Sequence, residues 1–192
     1  GDVYKRQLYH DVGKLHAPNW FIENQKDGPN PHDSLDDPQA SAAVLQAHVD
    51  EGLKLARRHR LPRPIADFIP EHQGTLKMGY FLHKARERDP DVDESRFRYR
   101  GPAPRSRETA VLMLADGCEA ALRSLPPDTS DDQARDTVRR IVASRHQDGQ
   151  LRKSTLSRTE VELVVRAFVQ VWRRMRHRRI PYPIPARRGL SV

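Results

Sequence analysis

His10 and Asp11 stand side by side in Leu8-Tyr9-His10-Asp11-Val12-Gly13-Lys14-Leu15, and by type they are a metal-ligating pair. The carboxylate is a hard, charged ligand able to bridge two cations, while a neutral imidazole suits a first-row divalent ion. Neighbouring residues on a helix point about 100° apart, so the two side chains converge only on something at a helix edge or end. Gly13 allows close approach there. A His-Asp dipeptide also occurs in ordinary structure, so the metal reading depends on further ligands elsewhere in the chain.

Three later positions offer them. His48 shares a face with Ser41, Val44, Leu45, Gly52 and Leu55 in a helix that opens at Asp37-Pro38, a capping residue followed by proline at the first helical position. A histidine on such a face is either a ligand or a satisfied core residue. His72 lies in Glu71-His72-Gln73-Gly74-Thr75, a helix end beside flexible backbone, where a ligand and a surface turn histidine are both consistent with the pattern. Asp116 interrupts the most apolar helix, Glu108 to Leu122, on a face with Thr109, Leu112 and Met113. A carboxylate there is costly unless it is paired or holds a cation, so Asp116 is expected to point inward as a ligand or a salt-bridge partner. Lys14 reads either as a charge for a phosphate oxygen or as a solvated helix-end lysine.

Helices must position these groups. A short helix is expected through Ile65 and Ile69 and another over Met78 to Arg88, with Asp89 to Arg107 irregular. Capping boxes at Ser130/Gln133 and Ser157/Glu160 open the last two helices. The final one carries Val161, Val164, Val165, Phe168, Val169 and Trp172 as a core-facing stripe. Ala17 to Pro38, with Asn19, Asn24, Gly28 and Asn30, reads as a long loop of functional length. The fold class expected is all-α, with one domain over 8–180. The segment 1–7 reads as a non-native leader, because Gly-Asp-Val-Tyr-Lys-Arg-Gln resembles translated sequencing adapter and no Met opens the chain. The chain is accordingly expected to be a C-terminal fragment of a longer protein. The stretch 181–192, with Pro181, Pro183 and Pro185, cannot continue a helix and is expected to be a Pro-rich tail.

The bulk properties narrow the classes. At 192 residues the chain suits one well-buried core. With 31% charged residues it has no apolar run of spanning length, and no secretory signal opens it. The single Cys118 excludes an internal disulfide framework and is expected to be a buried, inert thiol. A net charge of +8, from 34 Lys and Arg against 26 Asp and Glu, favours an anionic partner without naming one. The run Arg173-Arg174-Met175-Arg176-His177-Arg178-Arg179 reads as a solvated basic helix face. Were it a nucleic-acid contact instead, binding would fall steeply with salt and ignore Asp11.

Taken together, Tyr9-His10-Asp11-Val12-Gly13-Lys14, Phe21-Ile22-Glu23-Asn24-Gln25, Asn30-Pro31-His32-Asp33, Glu71-His72-Gln73-Gly74-Thr75, Phe97-Arg98-Tyr99, Met113-Leu114-Ala115-Asp116 and Asp148-Gly149-Gln150 carry a family resemblance from about Leu8 to Pro183. The chain resembles the HD-domain metal-dependent phosphohydrolases. Within them it is most similar to the intracellular domain of the seven-transmembrane PgpH-type cyclic-di-AMP phosphodiesterases. The resemblance implies an all-α HD-domain helical bundle with two divalent metal ions, Mn or Fe. His10, Asp11 and Asp116 would hold one, and Asp11, His48 and His72 the other, with Asp11 bridging. A water activated between them would attack phosphorus in line, Lys14 would neutralise a phosphate oxygen, and Asn30, Thr75 and Arg145 would touch substrate, unless their roles are in turns and caps.

The substrate implied is a cyclic dinucleotide, cyclic-di-AMP opened to its linear form, with no nucleic-acid polymer as partner. The placement implied is the cytoplasmic domain of an inner-membrane protein anchored upstream. Two departures from the family pattern stand in the sequence. No counterpart of the family's first His precedes His10, and Gln73 stands where many relatives carry a second His. The same residues also fit another HD phosphohydrolase acting on cyclic-di-GMP or a nucleotide, and a non-catalytic HD module that senses a nucleotide.

Overall fold

The computed structural model describes residues 8–25 and 30–177. The leader 1–7, Gly28, Arg178, Arg179 and the tail 181–192 lie outside the described residues. Helices α1 (Pro31–Leu35), α2 (Pro38–Arg58), α3 (Arg63–Ala66), α4 (Phe68–Glu71), α5 (Gly79–Arg88), α6 (Arg107–Arg123), α7 (Asp131–Gln147) and α8 (Arg158–His177) follow one another. Among the described residues the only strand-like pairing is an isolated bridge between Lys77 and Arg98. The all-α expectation holds.

The helices begin where their caps say they should. Asp37 accepts hydrogen bonds from the Gln39 and Ala40 amides at the start of α2, with Pro38 at the first helical position. Ser130 and Gln133 cap α7 reciprocally, and Glu160 N–H donates to Ser157 Oγ at 3.2 Å. A further box, Ser106 with Thr109, opens α6. Threonine there does the work usually given to Glu or Gln.

The expected long loop before α2 is more ordered than its composition suggests. It holds 3₁₀ turns at Pro18–Trp20 and Ile22–Asn24, then α1, whose cap Asn30 accepts from His32 N–H at 3.1 Å. Pro18 and Pro31 each sit at a first helical position, where a fixed φ favours a turn. Likewise Asp89 to Arg107 includes the 3₁₀ turn Glu94–Phe97.

Two interiors result. One is made by α6, α7 and α8, which bury Ala110, Leu114, Cys118, Leu122, Ala134, Val138, Val142, Val165 and Val169 together. The other surrounds α2, which packs against the 3₁₀ turn Val12–His16, α4 and α5. Its apolar part is split into a patch of Ala42, Met78, Leu82, Ala85 and Phe97 and a patch of Val49, Ala56 and Ile69. The basic run on α8 is only partly a solvated face. Arg173 pairs with Asp131, while Arg176 donates to the Thr129 carbonyl at 2.7 Å and lies 4.6 Å over the Trp172 ring. These arginines clasp α8 to the start of α7.

Candidate metal centre

Gly13 decides how the His-Asp pair meets the rest of the chain. A Cβ at this position would lie 1.7 Å from the His48 carbonyl oxygen and 2.5 Å from the Gly52 nitrogen. The Val12–His16 turn therefore rests directly on the α2 backbone, which no larger residue allows. His10 and Asp11 sit in the turn just before it, and Asp11 takes its N-cap position.

His48 is buried on α2 and His72 is buried at the end of α4. His48 Nδ1 hydrogen-bonds to the Leu45 carbonyl, and His72 Nδ1 to the Ile69 carbonyl at 2.7 Å. A carbonyl only accepts, so each Nδ1 carries a proton, and in the neutral imidazole that binds a metal each Nε2 keeps a lone pair. The two Nε2 atoms are 3.4 Å apart and lie 3.6 Å and 3.3 Å from Asp11 Oδ1. That oxygen is buried and has no hydrogen-bond donor. In that neutral form three electron-rich atoms converge, an arrangement costly in itself and suited to a cation.

His10 completes the group from the other side, with Nε2 3.2 Å from Asp11 Oδ2 and its ring edge-on to His72. His10, Asp11 and His72 each offer a ligand atom within 4.8 Å of the others. Imidazole nitrogens with one carboxylate fit a first-row divalent ion. Burial works against charge on Asp11, yet the neighbouring His10 and His72 outweigh it and hold the carboxyl far below the usual range. Burial, followed by the neighbouring His72, pushes His48 down to about 4. Both groups are in their ligand-ready forms at neutral pH.

Lys14 binds the same carboxylate. Its Nζ is 2.8 Å from Asp11 Oδ2 and also pairs with Glu23. Burial opposes its charge, but Asp11 and Glu23 hold the ammonium above its ordinary value. The solvated-lysine alternative is thereby disfavoured. Asp116 stands outside the group of mutually close ligand atoms. It is half-buried on α6, where its charge acts on Tyr99 and Arg145. Burial first, then Asp116 and Asp11, raises the Tyr99 hydroxyl.

Arg145 crosses α6 at Gly117, where a Cβ would come 3.0 Å from its Nη2. Burial lowers its pKa, and its Nε has no hydrogen-bond partner. Thr75 is held by Gln150, which accepts from its amide at 3.1 Å and donates to its hydroxyl at 2.8 Å. Asn30 caps α1 and lines a cleft of about 250 Å³ with Lys14, Trp20, Phe21, His48 and Tyr99 among others. Gln73 is on the wall of that cleft.

Sequence reasoning quoted three residues without giving them a role. Glu71 is fully buried beside His72 and accepts from Arg105 N–H at 2.8 Å, Arg105 Nε at 2.7 Å and Thr109 Oγ1 at 2.7 Å. It bolts the end of α4 to α6. Gln150 fixes the turn after His72, and Gly74, at φ +54°, leaves room for its Oε1. Glu23 faces Lys14. Their signal was adjacency: each lies within a motif already quoted for another residue.

Residues 3–121 match the HD domain family model. The chain belongs to the HD-domain family. It is 49% identical over 181 residues to an uncharacterized protein of Synechocystis sp., covering 92% of this chain and 22% of that protein. It is 35% identical over 175 residues to the cyclic-di-AMP phosphodiesterase PgpH of Bacillus subtilis, covering 91% of this chain and 24% of that protein. The chain thus spans about a quarter of the length of these curated relatives. Among solved structures it is similar to the HD domain of the Listeria monocytogenes phosphodiesterase PgpH in complex with cyclic-di-AMP, at TM-score 0.85 and 32% identity over 90% of this chain and 80% of that one. HD domains are metal-dependent, and the His10/Asp11/His72 cluster is where this one offers ligands.

Proposed function

We propose that this chain is the catalytic domain of a cyclic-di-AMP phosphodiesterase, opening one phosphodiester of the cyclic dinucleotide to give the linear form. The observation that carries the reading is the bare Asp11 Oδ1 facing the two Nε2 lone pairs of His48 and His72. The solved relative with cyclic-di-AMP supports the substrate.

In this reading His10, Asp11, His48, His72 and Asp116 would hold two divalent ions, Mn or Fe. When bound, such ions lower the pKa of a water and neutralise charge developing at phosphorus. The chain's own residues do the remainder. The Leu45 and Ile69 carbonyls orient the two imidazoles, and Gly13 sets Asp11 against them. Lys14 presents an ammonium at the mouth of the cleft for a phosphate oxygen, and Trp20, Phe21, Phe81 and Tyr99 supply aromatic walls for bases. Asn30 lines the same cleft. Arg145, with its unpartnered Nε, is a cation for a phosphate on the Asp116 side. Thr75 acts through the turn that carries His72 and Gln73. We place the domain on the cytoplasmic side of a membrane-anchored protein; among the described residues no helix is long and apolar enough to cross a membrane.

Gln73 supports a second reading, a nucleotide-sensing HD module without turnover, because an amide oxygen on the cleft wall is a weaker metal ligand than imidazole. Chromatographic product analysis of cyclic-di-AMP incubated with the chain and Mn, with Asp11→Ala as control, separates the two. Linear dinucleotide that disappears in the control is the expected result. No product from a folded chain that has taken up Mn, with cyclic-di-AMP and cyclic-di-GMP alike, would reject turnover in favour of sensing.

A further inference from the structure

Lys14 occupies part of the very carboxylate that a metal needs. Asp11 divides its two oxygens: Oδ1 faces His48 and His72, while Oδ2 faces His10 and the Lys14 ammonium at 2.8 Å. The same ammonium pairs with Glu23 and lies 5.1 Å over the Phe21 ring. Glu23 belongs to the 3₁₀ turn Ile22–Asn24, and that turn is anchored by Phe21, which is buried with its ring edge-on to His48 at 5.5 Å. The carboxylate of Glu23 is therefore held at a set distance from the cluster.

A divalent cation at Asp11 competes with the ammonium for the carboxylate and repels it as a like charge. In a half-buried site this repulsion is poorly screened. Lys14 then needs another anionic partner within reach, and Glu23 is the carboxylate already in contact with it. We infer that Glu23 is a positioning residue that draws the Lys14 ammonium off Asp11, and so sets how tightly the cluster takes a divalent metal. With glutamine at this position Lys14 retains only Asp11, and its charge falls in full on the incoming ion. The inference rests on the reading of the His/Asp cluster as a metal site.

The test is a double-mutant cycle read as Mn²⁺ affinity by titration calorimetry on the 192-residue chain, with circular dichroism to establish folding. Glu23→Gln is expected to weaken Mn²⁺ binding about ten-fold when Lys14 is present, and by no more than about two-fold in a Lys14→Met background. Lys14→Met alone is expected to bind Mn²⁺ at least as tightly as the parent. Affinity unchanged in Glu23→Gln, or reduced equally in both backgrounds, would overturn the role of Glu23 while leaving the metal site standing. A folded parent chain that takes up no Mn²⁺ would reject the metal reading and this inference with it.

Discussion

The interior around α2 and the interior between α6, α7 and α8 are filled with different chemistry. The second is aliphatic, with Leu114, Val138 and Val165 almost wholly buried. The first breaks its apolar residues into two small patches and also buries His48, Glu71 and His72. Burial of aliphatic side chains stabilises a fold, whereas buried imidazoles whose lone pairs face one another do not. The α6–α8 layer therefore supplies stability that lets the α2 region keep a strained, cation-seeking cluster. Glu71 joins the two, since it accepts from Arg105 and from Thr109 on α6 one residue before His72.

The largest test of this contrast is His72→Gln, which keeps volume but removes an Nε2 ligand. Mn²⁺ affinity is expected to fall about 1,000-fold by calorimetry, since each ligand carries several kcal/mol of binding. Urea denaturation of the metal-free chain is expected to change by less than about 1 kcal/mol, because the substitution also removes lone-pair repulsion. A large loss of metal-free stability would break the division of labour. Leu114→Ala, in the aliphatic interior, is the mirror experiment. It is expected to cost about 3 kcal/mol in the same denaturation assay while Mn²⁺ affinity stays unchanged.

Glu71→Gln falls between these two. It weakens three hydrogen bonds to one carboxylate, but Arg105 is 44% exposed and regains water. The expected cost is therefore about 2 kcal/mol rather than that of a fully buried pair. Because Glu71 serves both regions, Mn²⁺ affinity should fall with stability, and an effect on only one of them would show that the regions are not joined there. The smallest expected effect is at Cys118. Burial pushes its thiol up to about 12, so it stays protonated and inert across the alkylation range. Iodoacetamide labelling followed by mass spectrometry should give no adduct between pH 7 and pH 9 until denaturant is added. Labelling of the native chain would mean that the α6–α8 interior opens readily.

Much of the molecule was readable before any coordinates. Caps at Asp37, Ser130 and Ser157 marked three helices because capping depends on residues only a few positions apart. The stripe on α8 and the inward face of α6 followed from helical period. For the same local reason the motif segments were enough for an all-α HD domain to be expected, and the family match bears this out. The box at Ser106 was missed because threonine is not the usual residue three positions after the cap, and the turns after Pro18 because proline and asparagine mark loops as readily as turns.

What the sequence by itself determined, then, was the identity of the candidate ligands and the elements that carry them. Tertiary structure alone decided that Gly13 rests on His48, that Lys14 shares Asp11 with the imidazoles, and that Thr75 is tied to Gln150. It also decided that Asp116 lies apart from the tight His10/Asp11/His72 group. The physical reason is range. Propensity, period and capping act over a few residues, whereas the lone pairs that meet at Asp11 come from positions 11, 48 and 72, brought together only by the packing of whole elements.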